Sequence, residues 1–450
     1  MKQDLLSKYN VPAPRYTSYP TVPYWQDSPP SQKEWINCVQ NSFVENSEIS
    51  LYIHLPYCES LCTYCGCNKR ITKNHQVEQP YIESLLKEWQ QYLAIFPQKP
   101  ILKELHLGGG TPTFFQPTYL QYLIGEILKG VELSSTHHFS FEAHPSSTTF
   151  QHLTTLRACG FNRISIGVQD FDNEILQIIN RQQTYEDVER VVIEARELGY
   201  DSINFDLIFG LPLQTPTHIL STFEKVNALR PDRIAFYSYA HVPWVSPSQR
   251  AYSEKDLPTG QAKRDLYELG KKLLEDSGYG EIGLDHFALP TDALYKAAKT
   301  EVLHRNFMGY TPFNTKLNLA LGASSISDSW TAFVQNEKTI EAYQKRVELG
   351  EFPIVKGHLL HKEDQVLRQH ILNLICNYQT DWLDENLQCD ALYEGLERLK
   401  PMIEDGLLST DDFQLKVNQI GKPFIRNICM ALDSRYWAKQ PNKQLFSNVV

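Results

Sequence analysis

The sequence predicts an α/β protein built around a parallel β-sheet. Between about residues 49 and 239, short apolar runs alternate with longer stretches of helical periodicity. In one such stretch Tyr81, Leu85 and Trp89 recur at four-residue spacing, which is typical of one buried helix face. The predicted strands are Leu51–Leu55, Leu102–Leu107, His138–Ala143, Arg163–Val168, Ile203–Phe209 and Arg233–Tyr237. Strand–helix units in series favour parallel pairing with right-handed crossovers, in either a partial or complete barrel or a doubly wound open sheet.

Composition indicates a globular protein of the cytoplasm. The chain has 450 residues, of which 42% are hydrophobic and 21% charged, so it can bury a large core in more than one domain. No apolar run is long enough for a membrane span, and no signal peptide is recognisable. A formal net charge of −10 argues against a nucleic-acid partner.

The first 45 residues are expected to form an extended N-terminal arm. Val11–Pro23 holds four prolines in thirteen residues, which excludes regular helix and central strand. The barrel or sheet core is assigned to residues 46–285. A connecting segment at 286–356 is expected to complete the active site.

Residues 357–450 are predicted to form a mainly helical C-terminal domain. Helical patterns at Val366–Cys376 and Tyr393–Glu404 precede a hairpin-like Phe413–Val417, an order that resembles a winged helix. Winged helices often bind DNA, but this segment has no basic stripe. We therefore interpret the domain as a lid or packing domain.

Cysteines are concentrated in one short loop. Cys58, Cys62 and Cys65 have the spacing C-x3-C-x2-C, and Cys67 follows. Three thiolates can bind a [4Fe–4S] cluster and leave one iron open to a ligand, whereas electron-transfer clusters use four. An all-cysteine zinc site is the alternative, although structural zinc sites usually join two separated cysteine pairs. The remaining cysteines are scattered singly, as buried apolar residues often are: Cys38, Cys159, Cys376, Cys389 and Cys429.

Polar residues and glycines follow the predicted strands at their carboxyl ends, where α/β proteins place their functional loops. Gly108–Gly110 follows the second strand and would allow close approach of backbone to a ligand. Glu142 and Asp206 could accept hydrogen bonds from an amino group or ribose hydroxyls of a nucleoside. Gln169 and Arg181 could contact a carboxylate, a purine or ribose.

Taken together, these residues resemble a known superfamily. The three-cysteine spacing, with Tyr64 before the third cysteine, is similar to the cluster motif of radical S-adenosylmethionine (SAM) enzymes. Gly108–Pro112 resembles their glycine-rich motif. Within the superfamily, the chain resembles the oxygen-independent coproporphyrinogen III oxidases through four further segments, which are Cys65–Lys69, Pro14–Thr21, Leu303–Thr311 and Arg426–Met430.

The resemblance implies a partial (β/α)6 barrel, a C-terminal domain that helps shape the substrate pocket, and a [4Fe–4S] cluster on Cys58, Cys62 and Cys65. SAM would bind the open iron through its amino and carboxylate groups and be cleaved to a 5′-deoxyadenosyl radical. The implied reaction is oxidative decarboxylation of two propionates of coproporphyrinogen III to vinyl groups. Its product is protoporphyrinogen IX, formed in haem synthesis without dioxygen.

The resemblance also implies roles for single residues. Cys67 matches a required cysteine that is not a cluster ligand. Positions around one or two SAM molecules match Tyr52, Tyr64, Gly109, Gly110, Thr111, Glu142, Gln169, Arg181, Asp206, Ala240 and Ile326. One departure is His144, which stands where an acidic residue is expected. Candidate cations for the four substrate propionates are Arg15, Arg305 and His304.

Two alternatives remain at this point. A haem chaperone of the same superfamily branch would bind haem without oxidising a porphyrinogen, but such relatives have an Asp-Phe type continuation where this chain has Gly66-Cys67. A zinc-stabilised binding protein with a winged-helix module belongs to a different class. For the oxidase, we expect a monomer that accepts electrons from a low-potential donor such as flavodoxin or ferredoxin.

Overall fold

The computed structural model describes residues 3–244, 246–441 and 445–447. The strands are β1 Glu48–Leu55, β2 Tyr57–Cys58, β3 Arg70–Ile71, β4 Ile101–Gly109, β5 Glu132–Ala143, β6 Arg163–Gln169, β7 Ser202–Phe209, β8 Arg233–Ser238, β9 Gly280–Gly283, β10 His286–Ala288, β11 His304–Asn306, β12 Gly309–Thr311, β13 Leu317–Leu321, β14 Ile326–Asp328, β15 Ala332–Asn336, β16 Ile354–Leu359, β17 Gln379–Asp381, β18 Leu408–Thr410 and β19 Gln414–Val417. The α-helices are α1 Gln3–Tyr9, α2 Gln32–Glu45, α3 Glu78–Ile95, α4 Pro117–Lys129, α5 Phe150–Ala158, α6 Asn173–Ile178, α7 Tyr185–Glu197, α8 Pro216–Leu229, α9 Gly260–Asp276, α10 Ala293–Lys299, α11 Ile340–Glu348, α12 Lys362–Asn377, α13 Asp390–Arg398, α14 Lys400–Glu404, α15 Ile425–Leu432 and α16 Ser434–Ala438.

The six predicted strands form the centre of one large sheet. They are β1, β4, β5, β6, β7 and β8, and neighbours in the sheet follow chain order, all in parallel. A doubly wound sheet would reverse its strand order at a switch point, and these six strands have no such reversal. Because β8 does not pair with β1, the barrel is open. The partial (β/α)6 barrel is therefore confirmed.

The sheet continues beyond the barrel on both sides, which the sequence did not predict. Strand β13 pairs with β1 in parallel, and β14, β15 and β16 extend the sheet further by antiparallel pairing. On the other side, β10 pairs with β8 and β9 with β10. The region predicted as a connecting segment at 286–356 thus contributes strands to the same sheet as the barrel core.

Alternation along the barrel strands separates an apolar outer face from a polar interior. In β1, Leu51 and Ile53 are fully buried against the surrounding helices, whereas Tyr52 points to the opposite face, as the two-residue period of a strand requires. The same outer layer packs against the predicted helix face of α3, where Tyr81, Leu85 and Trp89 are also fully buried. The interior is left to charged and polar side chains.

The N-terminal arm is helical at its two ends and irregular between them. Helices α1 and α2 flank a segment that its prolines keep out of regular helix, apart from a single 3-10 turn at Val22–Tyr24. The arm does not project into solvent, because Tyr16 and Tyr19 are almost fully buried in a core shared with α12, α13 and α15.

The region after β16 contains helix α12, strand β17, helices α13 and α14, and the hairpin β18–β19, in that order. Strand β19 lies between β17 and β18 in a small antiparallel sheet. This helix, strand, two-helix and hairpin arrangement has the order expected of a winged helix. Among the described residues, no helix is long and apolar enough to cross a membrane.

Candidate active site

A cavity of about 980 Å³ opens at the carboxyl ends of the barrel strands. The loops that follow β1, β4, β5 and β6 contribute to its wall together with residues near the end of β7, as expected where parallel strands end together. Twelve of the fifteen residues predicted for the site line this cavity: Cys58, Cys62, Tyr64, Cys65, Cys67, Gly109, Gly110, Thr111, Glu142, Gln169, Arg181 and Asp206.

The cysteine loop is fixed by backbone pairing. Strand β2, which ends at Cys58, pairs with β3 on the far side of the loop, so the loop begins and ends at one point. The Thr63 N–H donates to the carbonyl of Ile179 over 3.0 Å, which ties the loop to the end of α6. The cysteine side chains are therefore presented to the cavity by a closed and anchored loop.

Hydrogen-bond donors point at two of the three sulfurs. Thr111 Oγ1 donates to Cys58 Sγ at 3.3 Å, and Arg181 Nη1 lies 3.5 Å from Cys62 Sγ. The Thr111 donor favours the thiolate form of Cys58 over the thiol, because the charged sulfur is the better acceptor. Burial has the opposite effect and outweighs the Thr111 hydrogen bond, so the pKa of the Cys58 thiol is raised to about 11. A bound metal cluster would resolve this conflict by holding the sulfur as thiolate.

These residues fit a [4Fe–4S] cluster. All cysteines of the described chain are free thiols, and the three cysteines of the motif line the same cavity. Soft thiolates in a short loop are suited to iron–sulfur ligation. Cys67 faces Cys65, and the hydrogen bond between them lowers the pKa of Cys65 and raises that of Cys67. Cys67 is thus the thiol that stays protonated in this pair.

The glycine motif brings backbone close to the cysteine loop. Gly110 N donates to Leu55 O at 2.8 Å, and a Cβ at position 110 would lie 2.6 Å from the carbonyl carbon of Pro56. Gly109 has a φ of +114°, and a Cβ there would meet the ring of His54 at 2.6 Å. Both positions exclude any side chain on steric grounds.

Glu142 and Asp206 lie inside the barrel with different ionisation properties. Burial opposes the charge of Glu142, yet His106 at 3.6 Å and the Gly109 N–H at 3.1 Å together hold its pKa below the usual value. Asp206 accepts hydrogen bonds from Ser165 and Asn204, but burial and the neighbouring Glu142 raise its pKa to about 6. The pair therefore combines a stable carboxylate with one that is costly to ionise.

Arg181 joins the cysteine loop to the loop after β6. Its guanidinium contacts Tyr64 Oη at 3.2 Å, Gln183 Oε1 at 2.7 Å and the carbonyl of Gly167. Gln169, at the end of β6, has a φ of +68°, and its side chain lies beside that of Arg181. This left-handed residue turns the chain at the cavity wall.

Three predicted site residues do not line the cavity. Tyr52 lies below it inside the barrel, where its ring stacks on that of His106 and its hydroxyl contacts His54 Nδ1 at 3.1 Å. Ala240 lies just beyond β8, and its carbonyl accepts from Gln249, which also donates to Tyr64 O. Ile326 begins β14 on the far side of β13 from the barrel and packs with a separate apolar cluster.

Several residues around the site were not predicted. His106, Ser165 and Tyr237 contact the predicted carboxylates or line the same cavity. A signal for them exists in the sequence, because a polar residue at every second position of an otherwise apolar strand indicates the barrel interior. His144, the departure from the family pattern, lines the cavity, and burial and Arg181 hold its pKa at about 3, so it is neutral.

The candidate substrate cations lie apart from the cysteine loop. Arg15 forms an ion pair with Asp285 at 3.0 Å and lines a second cavity of about 280 Å³. His304 and Arg305 lie on β11, in a hairpin with β12, and both are buried. Burial and Arg368 lower the pKa of His304 to about 4, so it is neutral and a poor partner for a carboxylate.

A family model, related sequences and a solved structure agree with one another. The Radical SAM superfamily model matches residues 52–226. The chain is 36% identical to oxygen-independent coproporphyrinogen III oxidase of Escherichia coli strain K12, covering 99% of this chain and 98% of that protein. The corresponding protein of Pseudomonas aeruginosa is also 36% identical, with 99% of this chain and 98% of that one covered.

A solved structure agrees with the sequence relatives. Coproporphyrinogen III oxidase (HemN) from Escherichia coli, a radical SAM enzyme, superimposes with a TM-score of 0.88 at 36% identity, covering 93% of this chain and 97% of that one. Identity at this level over almost the whole chain includes the arm, the sheet and the C-terminal region. The chain therefore belongs to the oxygen-independent coproporphyrinogen III oxidase family of radical SAM enzymes.

Proposed function

We propose that this chain catalyses the SAM-dependent oxidative decarboxylation of two propionate side chains of coproporphyrinogen III, giving protoporphyrinogen IX in haem synthesis without dioxygen. The observation that carries the proposal is the meeting of Cys58, Cys62 and Cys65 with Gly110, Glu142 and Asp206 at one cavity. The three cysteines suit an iron–sulfur cluster, and Gly110, Glu142 and Asp206 suit a nucleoside sulfonium compound such as SAM. The proposed reaction needs these two ligands side by side. The family supplies the identity of the substrate.

Cys58, Cys62 and Cys65 would hold the [4Fe–4S] cluster, which supplies one-electron reduction of SAM and so a carbon radical. The residues of the chain orient SAM beside the cluster. In this proposal Glu142, kept ionised by His106 and Gly109, accepts from the amino group of SAM. Arg181 binds its carboxylate or ribose, and Asp206 accepts from ribose hydroxyls.

Further contacts to one or two SAM molecules are proposed for Tyr52, Tyr64, Gly109, Gly110, Thr111, Gln169, Ala240 and Ile326. The volume of about 980 Å³ leaves room for more than one nucleoside-sized ligand. Cys67 is not a cluster ligand in this proposal. As the protonated thiol of its pair with Cys65, it can donate a hydrogen bond or a hydrogen atom at the cavity wall.

The electron is proposed to come from an acidic protein such as a flavodoxin or ferredoxin. The exit from the cysteine loop carries Lys69 and Lys73, which line the cavity mouth, and Lys69 Nζ donates to the carbonyl of Cys65 at 3.1 Å. In a chain of net charge −10, a local cationic rim beside the cluster favours docking of a negatively charged donor.

Anaerobic turnover tests the function. Cluster-replete protein, SAM and dithionite or reduced flavodoxin are mixed with coproporphyrinogen III, and both 5′-deoxyadenosine and protoporphyrinogen IX are measured. The proposal requires both products. A protein that binds haem but forms neither product would be a chaperone rather than an oxidase, and a colourless protein with stoichiometric zinc would exclude radical chemistry.

A further inference from the structure

Arg305 is a buried guanidinium with unused donors. It is only 7% exposed, and its Nε and Nη1 have no hydrogen-bond partner among the described residues. Leaving two donors of a buried charged group without an acceptor is costly, so such a residue points to an anion that completes it. Arg305 is not part of the predicted cluster or SAM machinery.

The position of Arg305 is fixed by its hairpin partner. Across β11 and β12, Arg305 pairs with Tyr310, and its guanidinium lies 4.6 Å from the centre of the Tyr310 ring. Tyr310 is itself held by a hydrogen bond to Ile375 O at 3.1 Å and by close packing on Gly283. The Tyr310 ring covers one face of the Arg305 guanidinium. The edge of the guanidinium, which carries the N–H groups, is left for a ligand.

A line of aromatic contacts connects Arg305 to the cluster cavity. The ring of Tyr310 lies 5.2 Å from that of His286, which lies 5.6 Å from that of Tyr237. Tyr237 lines both the cluster cavity and a smaller cavity of about 260 Å³ inside the barrel, and His286 and Tyr310 line the smaller one. The ring that stacks on Arg305 therefore borders the smaller cavity, and Tyr237 belongs to the walls of both cavities.

Arg15 also lies near His286. It forms an ion pair with Asp285, the residue before His286. Because the Arg15 side chain is 36% exposed, a carboxylate of a ligand can replace Asp285 as its partner. Burial, Arg305 and Arg15 together hold the pKa of His286 at about 3, which places both cations close to this neutral ring. Arg15 also lines the second cavity, together with Arg264.

We infer that Arg305 binds a propionate carboxylate that the reaction leaves intact, and that Arg15 binds a second one. The inference rests on the proposed function, because it takes coproporphyrinogen III as the substrate. Two of its four propionates become vinyl groups at the cluster cavity, and the other two must be held elsewhere. Arg305 is separated from that cavity by three ring contacts, which suits a group that does not react.

Equilibrium titration with stable porphyrins tests the inference without turnover. Cluster-replete wild type, Arg305→Gln and Arg305→Lys are titrated anaerobically in one detergent buffer, following the porphyrin absorbance. The probes are coproporphyrin III with four carboxylates, protoporphyrin IX with only the two retained ones, and coproporphyrin III tetramethyl ester with none. Arg157→Gln, which removes a guanidinium from the distant helix α5, is the matched control.

Arg305→Gln should weaken the binding of both porphyrin acids about 10- to 100-fold and leave the binding of the ester unchanged. Arg305→Lys should recover part of the lost affinity. Arg157→Gln should change none of the three. Equal weakening of acids and ester, or no weakening at all, would overturn the inference. If Arg305→Gln weakens the binding of coproporphyrin III but not of protoporphyrin IX, Arg305 binds a reacting propionate. That result would contradict our assignment to a retained one.

The outcome is independent of the proposed reaction. If wild-type protein binds the two acids through Arg305 but forms no protoporphyrinogen IX, the proposed function fails and the carboxylate site stands. If turnover is normal and Arg305→Gln binds all probes as wild type does, the function stands and this inference fails. Iron content and SAM binding of each variant show whether the cluster cavity is intact.

Discussion

The hydroxyl of Thr111 donates a hydrogen bond to the sulfur of Cys58 over 3.3 Å. Thr111 is held in place by its own N–H, which donates to Tyr57 O at 2.9 Å. The glycine motif therefore contacts the cysteine loop through a side chain as well as through backbone. Hydrogen bonds to ligating sulfurs stabilise the reduced, more negative state of an iron–sulfur cluster.

Replacing Thr111 by Val should lower the reduction potential of the cluster, because Val keeps the shape and removes the donor. The potential is measured by redox titration with electron paramagnetic resonance. Thr113→Val is the control, since Thr113 Oγ1 lies 3.1 Å from Ser147 Oγ and does not contact a cysteine. An unchanged or higher potential in Thr111→Val would show that this bond has no electrostatic effect on the cluster.

Cys67→Ser should retain the iron content of the wild type and lose turnover. Serine preserves the donor of Cys67 but cannot give up a hydrogen atom as a thiol can. Iron, acid-labile sulfide and 5′-deoxyadenosine are measured on anaerobically reconstituted protein. Cys58→Ser should lose the cluster itself, and Cys38→Ser, on α2, should retain both cluster and turnover. Loss of iron in Cys67→Ser would make Cys67 a ligand.

Asp206→Asn should stabilise the protein at pH 8 and lose SAM binding. Burial and Glu142 raise the pKa of Asp206 from 3.8 to about 6, so its ionisation opposes folding by roughly 3 kcal/mol at pH values above 6. The cost falls as pH drops through 6 and is absent below about 4, where folded and unfolded chains both carry the protonated acid.

The melting temperatures of Asp206→Asn and wild type, both cluster-replete and without SAM, are compared at pH 8 and pH 5. The variant should melt at higher temperature at pH 8, with a smaller difference at pH 5. The exposed neighbour Asp201 provides the control through Asp201→Asn, which should change neither value. An increase in melting temperature of equal size at both pH values would contradict an electrostatic origin of the stabilisation.

Gly110→Ala should disturb the cysteine loop, whereas Gly66→Ala should be tolerated. A Cβ at Gly110 would lie 2.6 Å from the carbonyl carbon of Pro56, and the backbone there cannot yield without moving β2. Overpacking of this kind costs about 1–3 kcal/mol. A Cβ at Gly66, in the same loop region, would meet no atom within 4 Å.

Iron content after reconstitution and SAM affinity report on both glycine variants. We expect Gly110→Ala to lose SAM binding and part of its iron, and Gly66→Ala to match the wild type in both. Equal loss in the two variants would indicate that the loop needs flexible backbone rather than space.

Local patterns in the sequence were sufficient for the barrel strands and for most of the cavity. Each barrel strand is a largely apolar run with a polar residue, a cysteine or a glycine within three residues of its end, and parallel strands bring those ends together wherever the helices lie. Cys58, Glu142 and Asp206 are far apart in the chain and meet for this reason alone. The choice between a barrel and a doubly wound sheet depends on strand order, which no local pattern encodes.

The sheet extensions and Ile326 depend on long-range partners. Strand β13 pairs with β1 across more than 260 residues of chain, and a short run such as Leu317–Leu321 does not specify its neighbour. Arg305 could be suspected as a cation from its residue type. Its burial and its unused donors follow from the packing of the hairpin against Tyr310, which the sequence does not reveal.

The burial of Tyr16 and Tyr19 beside α15 has a consequence for biosynthesis. During translation the arm leaves the ribosome first, but the residues that cover it, including Ile425 and Ile428, leave almost last. These aromatic side chains stay uncovered for nearly the whole elongation period. Because the barrel strands β1 to β8 are complete by residue 238, the cysteine loop can take its shape, and receive iron and sulfide, before the two chain ends close over each other.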